Sequence, residues 1–90
     1  NEIYIADMCR YQHAWLTFLQ GDAELTKKQL SEIKNETIFK ELAHIFQAEI
    51  LDYIDKDISA AIDHYLEFLE LYPQSIYYDD VRLRLRKITS

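Results

Sequence analysis

Apolar residues recur along this chain at three- and four-residue steps, in five stretches separated by short polar turns. That spacing predicts helices with one buried face. The first stretch, about 3–19, shows Ile5, Met8, Cys9, Tyr11, Trp15, Phe18 and Leu19. Gly21-Asp22 stops it, Gly suiting the turn and Asp capping the next helix. The second, about 23–34, shows Leu25, Leu30 and Ile33, and the third, about 37–54, shows Phe39, Leu42, Ala43, Phe46, Ile50 and Tyr53. After the turn Asp55-Lys56-Asp57, a fourth helix carries Ala61, Ile62, Tyr65, Phe68, Leu69 and Leu71. Pro73 ends it, because the residue before a proline is pushed out of the α region. Ser75 is placed to cap a fifth helix with Tyr77, Val81, Leu85 and Ile88 on one face.

The pattern repeats. Shifted by 34 residues, Ile5 falls on Phe39, Met8 on Leu42, Cys9 on Ala43, Tyr11 on Ile45, Ala14 on Ala48, Leu16 on Ile50 and Leu19 on Tyr53. Beyond the turn a shift of 35 fits better, with Leu30 on Tyr65 and Ile33 on Phe68, so one residue is inserted in between. The unit is a helix–turn–helix with a period near 34, as in tetratricopeptide arrays.

Particular runs resemble that family. Ala14-Trp15-Leu16-Thr17-Phe18-Leu19-Gln20-Gly21-Asp22 looks like the end of a repeat's first helix and its turn. Residues 60–73, from Ala60-Ala61 to Tyr72-Pro73, look like a complete second helix, with a small residue early, an aromatic four later and a closing proline. Residues 68–86, with Tyr72-Pro73, Ser75, Tyr77, Asp80 and Arg82 to Arg86, are similar to repeats of bacterial cell-envelope proteins, such as outer-membrane assembly lipoproteins and the periplasmic cell-division coordinator. The resemblance implies an all-α, tetratricopeptide-like solenoid of about two and a half repeats in one domain, 1–90. Repeat one would cover about 7–36, repeat two about 41–74, and a terminal helix about 76–88. Departures fall mostly in the first repeat: Thr26 replaces a small alanine, the second helix lacks a closing proline, and the later turn at Asp55–Asp57 has no glycine.

Composition narrows the function. A single Gly and a single Pro suit helices with short connections rather than a strand-rich fold. The net charge of −6 is concentrated in residues 49–80, where nine acids face only Lys56, while Arg82, Arg84, Arg86 and Lys87 crowd the tail. A net acidic domain repels phosphate, which argues against nucleic acid as partner. No apolar run approaches a membrane span. The chain opens at Asn1 without a Met or signal peptide, as an excised piece of a longer protein would. Location is therefore open: the resemblance favours the periplasm or outer membrane, with the cytoplasm as alternative.

Chemistry is sparse. Cys9, the only cysteine, sits among apolar neighbours and reads as a buried thiol. His13, His44 and His64 lie on three helices without metal-ligand spacing, although His44 and His64 could meet across one helix pair. Asp52, Asp55 and Asp57 lack the Gly and Glu that a calcium loop requires. No catalytic group, cofactor or metal site is expected, and the chain reads as no enzyme. The arginines read as positive charge near a helix C-terminus, facing acids on the preceding helix, with Arg82, Arg84 and Arg86 as an alternative docking patch.

What remains is partner binding. In the resembled family the first helices of successive repeats line a groove. Here they would contribute Tyr11, Trp15 and Phe18, then Ile45, Glu49, Asp52 and Tyr53. Such an aromatic groove with acids at one end suits a peptide with apolar anchors and a basic residue. The competing reading buries the first-helix aromatics against further repeats. The alternative function is a terminal segment of a longer solenoid, a scaffold or oligomerisation element of an envelope complex that associates through its ends.

Overall fold

The computed structural model describes residues 1–90 as α1 (Glu2–Leu19), α2 (Ala23–Ser31), α3 (Ile38–Glu49), a π-helical turn (Ile50–Ile54), α4 (Ile58–Leu71) and α5 (Tyr78–Thr89), with no strand. Consecutive helices pack side by side, and the Cα positions fill a slab of 42 × 31 × 15 Å. With helices packing 8–10 Å apart, a 15 Å thickness is two helices deep. There is therefore no thick interior, and chemistry must sit on a face or in a crease.

The helix ends follow the turn residues. Asn1 Oδ1 accepts from the Tyr4 amide at 2.9 Å, Asp22 Oδ1 from the Leu25 amide at 3.0 Å and Asp57 Oδ1 from the Ala60 amide at 3.2 Å, satisfying donors that the first turn leaves free. Gly21 has φ +91°, and Lys56, 35 residues on, occupies the same left-handed region at φ 57°. The glycine-free turn thus keeps its shape with a lysine. Pro73 follows Tyr72, which leaves the helical region at φ −128°, ψ 60°. α2 stops at Ser31, three residues short of expectation, and α5 begins at Tyr78. Ser75 Oγ accepts from the Tyr77 amide at 3.0 Å, ahead of the helix rather than as its cap residue.

The inserted residue of the repeat pattern has a physical location. The third helix does not run uniformly to Ile54: after Glu49 it widens, and the Asp55 amide donates five residues back to Ile50 O at 2.9 Å. A π turn accommodates one extra residue without breaking a helix. It ends at Ile54, after Tyr53, where the shift of 34 still holds, and before Lys56, where the shift is 35.

Two cores share α3. Ala14, Leu30 and Ile33 meet Ala43, Phe46 and Ile50 on one side. Ala48 meets Ala61, Tyr65, Phe68 and Val81 on the other. Ala14 and Ala48 are both fully buried, each where a neighbouring helix comes close. Thr26, the departure from a small residue, is also fully buried and donates its hydroxyl to Asp22 O at 2.7 Å.

A second paired feature joins turns to helices. Asp7 of α1 is completely buried and accepts from Thr37 Oγ1 at 2.8 Å, Arg10 Nη1 at 3.0 Å and Asn35 Nδ2 at 3.2 Å, tying the loop between α2 and α3 to α1. Burial alone would raise its pKa, but the hydrogen bonds from Thr37, Asn35 and Arg10 outweigh that and hold it below the usual carboxylate range. Glu41, 34 residues on, accepts from Ser75 Oγ at 2.9 Å in the loop after α4.

The structure corrects the expectation for Cys9, which is exposed, not buried. It lies on the outer side of α1, opposite the face that packs on α2, and no helix covers it there.

Ala48→Leu forces three extra carbons into a site with no free surface, so it should cost about 1–3 kcal/mol. Asp63→Asn, on the exposed side of α4, should cost less than about 0.5 kcal/mol. Thermal melts of the two variants check this; equal melting temperatures would contradict the packing described.

Candidate functional site

α1, α3 and α5 expose a shared crease, with α2 and α4 behind. A cavity of about 450 Å³ lies there, lined by Tyr11 and Trp15 of α1; Leu42, Ile45, Phe46 and Glu49 of α3; Tyr53 of the π turn; Tyr65 of α4; Tyr77 just ahead of α5; and Asp80, Val81 and Arg84 of α5. Its volume suits a side chain or short peptide segment, and its walls are mainly hydrophobic, half of the lining residues being aromatic. A smaller hollow of about 190 Å³ adjoins it, shared by Trp15, Phe18, Phe46, Glu49, Ile50, Tyr53 and Ile54.

The aromatic walls are built by packing. Phe46 is buried at the centre, with Trp15 tilted over it at 4.4 Å between ring centres, and Phe18 and Tyr11 edge-on at 5.3 Å and 6.2 Å. Edge and offset geometries of this kind are the favourable ones for aromatic pairs. One side of the cluster is therefore fixed, while Trp15 and Tyr53 remain 41% and 47% exposed. Of the residues expected in a groove, Tyr11, Trp15, Ile45, Glu49 and Tyr53 line the main cavity, and Phe18 lines only the smaller hollow.

Asp52 has a different role from the one expected. It is 2% exposed and points into the protein, not into the groove. Arg84 of α5 reaches across to it with both arms of its guanidinium, Nε to Oδ2 at 2.7 Å and Nη2 to Oδ1 at 2.8 Å. Tyr65 donates to Oδ2 at 2.8 Å. The guanidinium also lies 4.6 Å over the Tyr53 ring. Bidentate, charge-assisted bonds of this kind are among the strongest that a side chain makes. The Arg84 bond, with help from Tyr65, holds the Asp52 carboxyl below its usual range against the effect of burial. Burial and the nearby Asp52 charge push the Tyr65 phenol well up. Asp52 stands four residues after Ala48, on the same inward side.

The arginines do not form one patch. Residues two apart on a helix point in nearly opposite directions. Arg84 turns inward onto Asp52, while Arg82 makes a 3.6 Å ion pair with Asp79 on its own helix and Arg86 faces solvent.

The charge left in the groove is negative. Glu49 lines both hollows and forms neither a hydrogen bond nor an ion pair. Desolvation by its apolar surroundings, and then the charge of Asp52, raise its pKa. Asp80 stands on the opposite wall. The only cation on the lining, Arg84, is already neutralised. The cavity is thus suited to receive a cation flanked by apolar groups.

The other candidate clusters are structural. His44 Nε2 donates to the His64 carbonyl at 3.1 Å, and His64 Nδ1 to the Ala60 carbonyl at 3.3 Å, with the two rings 5.5 Å apart. Burial lowers the His44 pKa, so it is neutral at pH 7 despite Glu67 at 3.6 Å. The three turn aspartates are separately engaged: Asp52 with Arg84, Asp55 with Lys27, and Asp57 as the cap of α4. Neither Asp7 nor the Asp52–Arg84–Tyr65 cluster is anticipated from sequence. The one signal for Asp7 is that the 34-residue shift pairs it with Glu41.

Arg84→Met keeps the length and apolar stem of the side chain but leaves Asp52 buried and unpaired. Because Asp52 has a lowered pKa when folded, its contribution to stability is present above about pH 4 and is lost as pH falls through that lowered value. The variant should melt well below the parent at pH 7, and the gap should narrow at pH 3, where Asp52 can protonate. A gap that stays constant or widens in acid would contradict the arrangement. Compared with known proteins, the chain matches no family model, no curated protein and no solved structure.

Proposed function

We propose that this chain is a non-catalytic protein-interaction module that holds a peptide segment in the crease between α1, α3 and α5. The observation that carries this is the pairing of an aromatic cavity of about 450 Å³ with an unpaired carboxylate, Glu49, on its wall. The ligand this favours is a peptide placing an apolar or aromatic side chain against Trp15, Phe46 and Tyr53, and a lysine or arginine beside Glu49. Aromatic side chains with partial exposure and rigid backing are the usual anchors of such interfaces. No nucleophile stands beside a general base on the cavity lining, which supports binding rather than turnover.

The tetratricopeptide resemblance belongs with this reading. Two helix pairs of similar length, small residues at Ala14 and Ala48, and left-handed turns at Gly21 and Lys56 are what such repeats would require. The run from Tyr72 to Arg86 supports a solenoid of the bacterial cell-envelope kind, and with it a periplasmic or outer-membrane-associated setting, as part of the same proposal.

The test is selection from a random peptide array or phage library against the full chain, followed by calorimetry on the winners. The expected winners combine Lys or Arg with Trp, Phe, Leu or Tyr. Glu49→Gln should weaken their binding severalfold, with the loss shrinking as salt rises, because partly exposed charges are screened over about 8–10 Å. Tyr53→Ala should cost about 2 kcal/mol at any salt. Affinity should also fall on acidification before an ordinary glutamate would protonate, since Glu49 gains its proton early. Acidic winners, or winners indifferent to both substitutions, would defeat the proposal.

A further inference from the structure

The face of α1 opposite α2 carries Ile5, Cys9, Leu16 and Leu19 at alternating four- and three-residue steps around Gln12, a narrow stripe along one side of the helix. All of these residues are exposed, Leu16 at 59% and Leu19 at 73%. The molecule contains a second version of this face. Cys9, Gln12 and Leu16 correspond, 34 residues on, to Ala43 and Phe46 of α3 and to Ile50, the first residue of the π turn. Those are 2%, 6% and 1% exposed, because the α1–α2 hairpin lies on them through Ala14, Leu30 and Ile33. The residues leading into the two helices also match: Asn1-Glu2 leads α1, and Asn35-Glu36 lies just ahead of α3.

We propose that the outer face of α1 docks a helical hairpin of the α1–α2 kind, which presents two aliphatic residues as Leu30, at the end of α2, and Ile33, just beyond it, are presented here. The occupant is inferred from the internal interface, since the same positions in α3 receive that hairpin. Charge agrees: along the stripe there is no acid or base, so an apolar partner meets no unpaired charge there, whereas a basic or acidic segment would gain nothing. The proposal goes beyond the peptide groove, concerns a separate face, and stands or falls independently of it.

The experiment lengthens the full chain by its own hairpin. Residues 1–34, with Cys9→Ser in the added copy, are joined ahead of Asn1 so that the 34-residue spacing continues into α1. The remaining Cys9 then reports on the face through its reaction with an aromatic disulfide reagent under native conditions. It should react about tenfold or more slowly in the tandem protein than in the single chain, as a covered thiol does, and the tandem should melt higher. Leu16→Glu in the second copy should restore the reactivity while helicity stays unchanged. Gln12→Phe there should raise the melting temperature of the tandem but not of the single chain. Equal Cys9 reactivity in tandem and single chain would overturn the proposal. So would shielding that survives Leu16→Glu, or concentration-dependent shielding in the single chain, which would make a second copy the occupant.

Discussion

The contact on which the groove depends is the ion pair between buried Asp52 and half-buried Arg84. The apolar edge of α5, Val81 with Leu85 and Ile88, packs into the second core, a contact that is not directional. Two parallel hydrogen bonds to one carboxylate add direction. They set the register of α5 against the π turn, and so determine where Tyr77, Asp80 and Val81 stand as the third wall of the cavity. A pair with its carboxylate buried contributes little net stability, because desolvating that charge offsets much of the attraction. Its value here is in specifying one arrangement.

The same contact determines the charge of the groove. With Arg84 committed to Asp52, Glu49 has no counter-ion although it stands among aromatic side chains. A carboxylate in that position is slightly unfavourable in the free protein, and a ligand cation relieves it. Structure and proposed function are therefore coupled through one arginine: turned from Asp52 to Glu49, it would leave a buried acid unpaired, loosen a wall and neutralise the site.

Much of the architecture is legible from sequence, because periodicity and turn chemistry report directly on backbone geometry. The five helices, the stop at Pro73, the cap at Asp22, and the left-handed turn at Gly21 all follow from local rules. Even the π turn leaves a trace, as the change of shift from 34 to 35. Buried charge is harder to read. Asp7 and Asp52 look like surface residues until the loop or helix that binds them is in place, and their distant partners Asn35, Thr37 and Arg84 lie 28 to 32 residues away. The tail arginines look like a cluster in the sequence, but alternate positions on a helix separate them. Cys9 misleads because α1 has apolar residues on two sides, and periodicity alone does not say which side is covered.

The central claim is that Asp52 is neutralised internally while Glu49 faces the groove without a partner. The most direct measurement is a carbon-detected NMR titration of the side-chain carboxyls, with both residues assigned by substitution to Asn and Gln. The account predicts that Asp52 titrates below the ordinary aspartate range and Glu49 above the ordinary glutamate range. An Asp52 that titrates normally or high, together with a Glu49 that titrates low, would mean that the arginine serves the groove after all, and would contradict it.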